Sequence, residues 1–260
     1  MDWIQIITLA LVQGLTEFLP VSSSAHLVLV APVLGWPDQG LAFDIAVHVG
    51  TLGAVLLYFR QHLFALARGC LRSGPEQTEV FYLAVATLPA VLAGFLLNEW
   101  LASWTRAPVV IMGTTLIFGL LLGYADRKPT LGIQITLKIA LVIGLFQVLA
   151  LIPGTSRSGI TITAALLLGV SRVEAARFSF LLSIPIIAGA SLLLVKDAVE
   201  LGLDVQVGDW LLGAAVALLS ALACIKVFIA LVERIGMMPF VIYRIALAGL
   251  LFALLALGLA

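Results

Sequence analysis

Apolar residues run along this chain in blocks, and its polar residues collect where the blocks break. Residues 3–19 read as an apolar helix stopped by Pro20, and residues 24–34 as a second short helix ending at Leu34-Gly35-Trp36-Pro37. Neither reaches comfortably across a ~30 Å hydrocarbon core, which needs about 20 apolar residues in a helix. With polar residues at the break, the two read as a re-entrant pair that enters and leaves on one side. Non-helical backbone at that depth is tolerated only where it lines protein or a water-filled cavity. Full spans are expected at about 41–60, 81–102 and 108–125.

The second half repeats this order. A helix at 136–152 is broken at Pro153-Gly154, a short helix to 168 ends at Leu168-Gly169, and spans follow at about 174–195, 210–232 and 239–258. Pro20-Val21-Ser22-Ser23 aligns with Pro153-Gly154-Thr155-Ser156, Leu34-Gly35 with Leu168-Gly169, and Phe43 with Phe178. Ala107-Pro108-Val109-Val110-Ile111 aligns with Met238-Pro239-Phe240-Val241-Ile242, all at an offset of about 134 residues. Each half makes three full crossings, an odd number, so the halves must oppose each other, as in transporter-type inverted repeats. The expected fold is an all-α polytopic membrane protein, one integral membrane domain over residues 1–260. It holds two inverted-topology repeats at about 1–126 and 134–260. Each repeat is a re-entrant helix-loop-helix plus three transmembrane helices, six full spans in total.

Composition agrees: 11% of residues are charged and mean hydropathy is +1.19, against about 25% charged in soluble domains. The formal net charge is zero, so nothing draws nucleic acid by bulk electrostatics. Cys70 and Cys224 are too few for a disulfide framework or metal cluster. Met1-Asp2-Trp3 lacks the basic start of a signal peptide and is expected to stay in the mature protein. The topology collects Arg60, Arg68, Arg72, Arg127, Lys128, Lys138, Arg172, Arg177 and Arg234 on one side. The other side holds Arg106 and Lys196 with the acidic Asp197, Glu200, Asp204 and Asp209. By the positive-inside rule the first side is cytoplasmic, which puts both termini and the first hairpin loop on the outer face. Glu99, Trp100 and Trp104 read as an outer interfacial belt.

Two polar islands break this pattern: Gln13-Gly14-Leu15-Thr16-Glu17-Phe18-Leu19-Pro20-Val21-Ser22-Ser23-Ser24-Ala25-His26, and Pro153-Gly154-Thr155-Ser156-Arg157-Ser158-Gly159. Ionisable groups in membrane segments are costly, and a functional site is their default reading. Gln13 and Glu17, four apart, share a helix face. Ser22, Ser23 and Ser24 suit the N-cap of the second short helix, and Thr155 or Ser156 that of its counterpart. Two helix N-termini then meet, each with free N–H groups and partial positive charge suited to phosphate. Arg157 adds a fork matched to phosphate oxygens. Beside an anion, Glu17 is useful if it holds a divalent metal or acts as a general base. Ser23 is a candidate nucleophile and His26 a proton carrier. The bland alternatives are a buried Glu17–Arg157 ion pair without chemistry and serines that only cap. Asp44 and His48, four apart, stand as candidates for lining a substrate path or as polar groups near water.

Glu17-Phe18-Leu19-Pro20-Val21-Ser22-Ser23-Ser24-Ala25-His26 resembles the first signature of the bacterial undecaprenyl-diphosphatase family, the BacA/UppP bacitracin-resistance proteins. Pro153-Gly154-Thr155-Ser156-Arg157-Ser158-Gly159 resembles the second. The likeness extends to Gly169-Val170-Ser171-Arg172, Phe178-Ser179-Phe180-Leu181-Leu182 and Ile242-Tyr243-Arg244. The resemblance implies removal of the terminal phosphate from undecaprenyl diphosphate in the bacterial cytoplasmic membrane, regenerating the lipid carrier for cell-wall polymers. It implies catalytic roles for Glu17, Ser23, His26 and Arg157, and substrate binding by Ser22, Ser24, Thr155, Ser156, Ser158 and Thr161. It also implies a divalent metal, Mg²⁺ or Ca²⁺, on Glu17 and Gln13. Many members carry glutamate at the position of Gln13, so a two-carboxylate metal site is in question here. The inverted repeats raise a rival reading, a lipid-phosphate flippase or ion-coupled transporter, although architecture does not fix function. Oligomeric state stays open, a homodimer included.

Overall fold

The computed structural model describes residues 1–37, 39–69, 74–102, 107–200 and 207–257. Cys70, Arg72, Trp104, Arg106 and Asp204, and the side chains of Glu99, Trp100 and Asp197, lie outside the described residues. All regular structure among the described residues is helical. In order, the first half holds α1 (Trp3–Thr16), α2 (Ser23–Val33), α3 (Gly40–Tyr58), α4 (Arg60–Gly69), α5 (Pro75–Ala102) and α6 (Pro108–Asp126). The second holds α7 (Leu137–Val148), α8 (Arg157–Leu167), α9 (Arg172–Glu200), α10 (Val207–Ile235) and α11 (Met238–Ala256).

Helices α5, α6, α9, α10 and α11 are long and apolar enough to cross a membrane. The sixth expected span, residues 41–60, is α3, and the chain then bends by 74° into α4. Residues from Arg60 onward are amphipathic, with only Leu66 of α4 buried, so α4 turns aside instead of prolonging α3. At 14 residues, α1 is about 21 Å long, too short to span. Proline starts α6 and α11 at the first helical turn, where its missing N–H costs nothing.

The helices of the two halves pack in corresponding pairs. α1 lies along α10 and α7 along α5, while α3 pairs with α9 and α6 with α11. Exchanging the halves maps each pairing onto another or onto itself. Two of these contacts depend on glycine. A Cβ on Gly14 would sit 2.7 Å from the Ala217 carbonyl oxygen of α10, and one on Gly144 2.6 Å from the Ala86 carbonyl oxygen of α5. Small residues allow such close approach in membrane bundles. Outward faces are apolar, Phe95 of α5 being 85% exposed, as lipid contact requires.

Ionic contacts mark two groups of helix ends. Asp126, ending α6, accepts from Arg172 Nε at 2.6 Å and from the Met237 N–H at 3.0 Å. Arg177 reaches Glu79, Glu174 and His62, beside a cavity of about 600 Å³ lined by Tyr82, Thr136 and Ser171 among others. In the other group, the Met1 ammonium meets Asp209 at 3.5 Å.

Candidate active site

The first break forms because proline removes a helical N–H and pushes the residue before it out of the α region. The helix accordingly stops at Thr16, three residues short of the expected end at 19, and Glu17 takes the C-cap position. Its carboxylate therefore projects from the break itself. There it faces the negative end of the α1 dipole, an unfavourable arrangement that must be offset by donors from elsewhere.

Four groups converge on it. Ser23 Oγ donates to Glu17 Oε2 at 2.7 Å and Gln13 Nε2 to the same oxygen at 3.0 Å. Arg157 Nη2 donates to Glu17 Oε1 at 3.2 Å. His48 Nε2 lies 4.0 Å from Oε2. The Glu17 and Arg157 side chains are 9% and 11% exposed, so this pair is largely withdrawn from solvent. Arg157 also donates to the Ser179 carbonyl at 2.9 Å and lies over the Phe18 ring, 6.0 Å from its centroid. Phe18 packs edge-on against Phe180, which continues to Phe228, so an aromatic layer backs the polar cluster.

The other hydroxyls hold the loops together. Ser158 Oγ donates to the Leu19 carbonyl at 2.8 Å, joining the second island to the first. Ser156 caps α8, its Oγ accepting from the Gly159 N–H at 3.1 Å; Thr155 does not cap, and its buried Oγ1 has no partner. Thr161 Oγ1 donates to the Arg157 carbonyl at 2.8 Å and lies 2.7 Å from Ser179 Oγ. Ser22 is buried and its Oγ lies 3.2 Å from Ser24 Oγ.

His26 stands apart from the Ser23–Glu17 pair. Its Nδ1 lies 2.7 Å from the Ser22 carbonyl oxygen, and its Nε2 bonds the Tyr243 hydroxyl with the two rings stacked. A carbonyl can only accept, so Nδ1 carries the proton; neutral His26 then presents Nε2 as an acceptor for the Tyr243 O–H. Asp44 accepts from Gln39 Nε2 at 3.1 Å, whereas His48 reaches the cluster.

Tyr243, Ser179 and Arg244 entered the sequence reading only inside family-like stretches, with no role. Arg244 is 0% exposed and all its partners are backbone carbonyls, among them those of Pro20 and Thr155 from the two loops. One signal could have found it: a lone arginine inside the apolar stretch of α11.

The fold and the cluster define an α-helical membrane protein in which two short, broken helices bring a carboxylate, a guanidinium and hydroxyls together. The chain belongs to the family described as bacitracin resistance protein BacA, which matches residues 6–250. It is similar to the undecaprenyl-diphosphatase of Chromohalobacter salexigens, 53% identical over 266 residues, covering 98% of this chain and 100% of that protein. The undecaprenyl-diphosphatases of Hahella chejuensis and Alteromonas mediterranea are each 52% identical, covering 96% of this chain and 98% of theirs.

Proposed function

We propose that this chain hydrolyses undecaprenyl diphosphate to undecaprenyl phosphate and inorganic phosphate at the junction of the two islands, returning the carrier to cell-wall synthesis and conferring bacitracin resistance. The observation that carries this is Glu17, held between Ser23 Oγ at 2.7 Å and Arg157 at 3.2 Å from the opposite hairpin. The relatives' names support the same reaction and do not favour the transport alternative.

In the proposed reaction Ser23 Oγ attacks the terminal phosphorus and Glu17 Oε2 takes the hydroxyl proton. Undecaprenyl phosphate leaves, and water then cleaves the phosphoserine, with Glu17 returning the proton to Ser23. Arg157 and the N-termini of α2 and α8 stabilise the charge that builds on phosphate oxygens. His26, with Nδ1 fixed by the Ser22 carbonyl, exchanges protons along the bond from its Nε2 to the Tyr243 hydroxyl. The isoprenoid tail stays in lipid.

The family resemblance also implies Mg²⁺ or Ca²⁺. Among the described residues no three His, Cys, Asp or Glu side chains gather into a metal site. Gln13 Oε1, however, is buried without a partner on the amide whose Nε2 bonds Glu17. An unpaired amide oxygen beside a carboxylate fits a cation that keeps water and takes phosphate oxygens, so Gln13 and Glu17 would hold it. Bound there, it would neutralise phosphate charge.

The repeats are inverted in this reading, supported by the interchangeable helix pairings, and both termini lie on the outer face of the bacterial cytoplasmic membrane. A reporter active only outside the cytoplasm, fused after Ala260, should be active. The test of the chemistry is phosphate release by the purified protein in detergent, where transport cannot be scored. Arg157→Ala should abolish release, and Ser23→Ala should reduce it to a small residue. Near-normal turnover of Ser23→Ala would mean direct attack by water.

A further inference from the structure

Arg244 presents five N–H donors, and five carbonyls receive them. Nε donates to Thr115 O at 3.0 Å, and Nη2 to Thr114 O at 3.3 Å and Gly154 O at 3.0 Å. Nη1 donates to Pro20 O at 3.3 Å and Thr155 O at 2.9 Å. No described carboxylate pairs with it. Its acceptors come from three segments: the end of the first hairpin's break, the second hairpin's break, and α6. Two glycines clear its place, since a Cβ on Gly119 would stand 3.0 Å from Arg244 Cβ and one on Gly159 3.0 Å from Nη1.

A loop before a helix N-terminus carries carbonyls as well as amides. For a phosphate to bind there, the amides must face it and the carbonyl oxygens, which repel it, must face away. Pro20 lies two residues before Ser22, and Gly154 and Thr155 directly precede Ser156. Drawing those three carbonyls onto one guanidinium turns the same side of both loops inward. It also leaves a permanent cation behind both helix N-termini, where water screens it weakly.

We propose that Arg244 is a positioning residue for the hydrolysis: it gathers the carbonyls of both re-entrant loops and so presents the N-termini of α2 and α8 to the diphosphate. This rests on the phosphate site proposed above. It differs from a purely structural staple in what it predicts for anion binding.

The experiment uses the purified full-length protein in detergent, with inorganic pyrophosphate as competitive inhibitor and thermal unfolding measured in parallel. Lysine keeps the charge with three donors in place of five, so Arg244→Lys should raise the pyrophosphate inhibition constant at least about tenfold and lower kcat further, by about a hundredfold. Gly119→Ala leaves the arginine intact and displaces it from the α6 side; it should move both quantities in the same direction, about threefold, and it decides the matter if Arg244→Lys does not fold. Asp126→Asn, which weakens the contacts to Arg172 at the start of α9 and to Met237 at the start of α11, should lower the unfolding temperature with the inhibition constant unchanged. An unchanged inhibition constant in folded Arg244→Lys, or in Gly119→Ala where the former does not fold, would overturn the proposal; so would an equal rise in Asp126→Asn. Arg157→Lys serves as reference. If it binds pyrophosphate normally, the phosphate site itself is wrong; if only it loses binding, the role of Arg244 alone fails.

Discussion

Ser22 and Ser156 both take positive φ, 74° and 71°, on the two hairpins. Each also sets its hydroxyl 3.2 Å from that of the serine two residues on, Ser24 and Ser158. These are the only positive-φ residues other than glycine among the described residues, and they pair Ser22 with Ser156, one residue beyond the Thr155 that the local sequence alignment sets opposite Ser22. Such conformations cost about 1–3 kcal/mol outside glycine and persist where their surroundings impose them. A serine at positive φ thus directly precedes the short helix on both hairpins.

Glycine at Ser156 relieves that strain while losing the cap, worth a few tenths of a kcal/mol relative to glycine but about 1 kcal/mol relative to alanine. Ser156→Gly should therefore unfold at or above the wild-type temperature, and Ser156→Ala below it by about 1 kcal/mol in stability. Thermal unfolding in one detergent compares them directly. If alanine proved the milder change, backbone strain at Ser156 would not be the governing term.

Much of this is legible in the sequence alone. Pro20 and Pro153-Gly154 announce breaks because proline and glycine act through the backbone, whatever surrounds them. Glu17, His26 and Arg157 stand out because charge in an apolar segment is expensive. The bend at Phe59 was not legible, since residues 52–59 are apolar with no proline to mark a break and Arg60 reads only as a charge that sets topology. The partners of His26 have no signal in the sequence: the Ser22 carbonyl and Tyr243 of α11 take both ring nitrogens, and Tyr243 lies 217 residues away. The role of Arg244 had no pattern to read, because its acceptors are carbonyls, which every residue carries.

The Glu17–Arg157 pair should show strong coupling. Removing one partner of a buried pair leaves the other charge uncompensated, at about 3–5 kcal/mol. Glu17→Gln and Arg157→Met should each destabilise substantially, and the double variant by at least about 1 kcal/mol less than their sum. All three should release no phosphate. Strict additivity would mean that solvent or other donors satisfy each group separately.

Gln13 offers a test of the cation. Replacing its unpaired amide oxygen by a carboxylate adds a charged ligand beside Glu17, and ligand charge tunes divalent affinity. Gln13→Glu should lower the Mg²⁺ or Ca²⁺ concentration for half-maximal activity by about tenfold, and Gln13→Leu should raise it. Identical titration curves for the three proteins would place any cation away from Gln13.

Close helix contacts hold the two hairpins against the bundle. Gly14 lets α1 approach α10, and Gly144 lets α7 approach α5, each with backbone carbonyl oxygen where a methyl group would go. Backbone cannot yield as a flexible side chain can, so the helices must separate, at about 1–3 kcal/mol for an overpacked contact. Gly249 lies in α11 with nothing within 4 Å of its would-be Cβ, and alanine there should only add helix propensity, up to about 1 kcal/mol. Gly14→Ala and Gly144→Ala should both unfold earlier than wild type, and Gly249→Ala no earlier. Because Glu17 is the C-cap of α1, the Gly14 variant should also lose more activity than the Gly144 variant at matched stability. Equal unfolding temperatures for all three would mean that close approach at these glycines does not hold the hairpins in place.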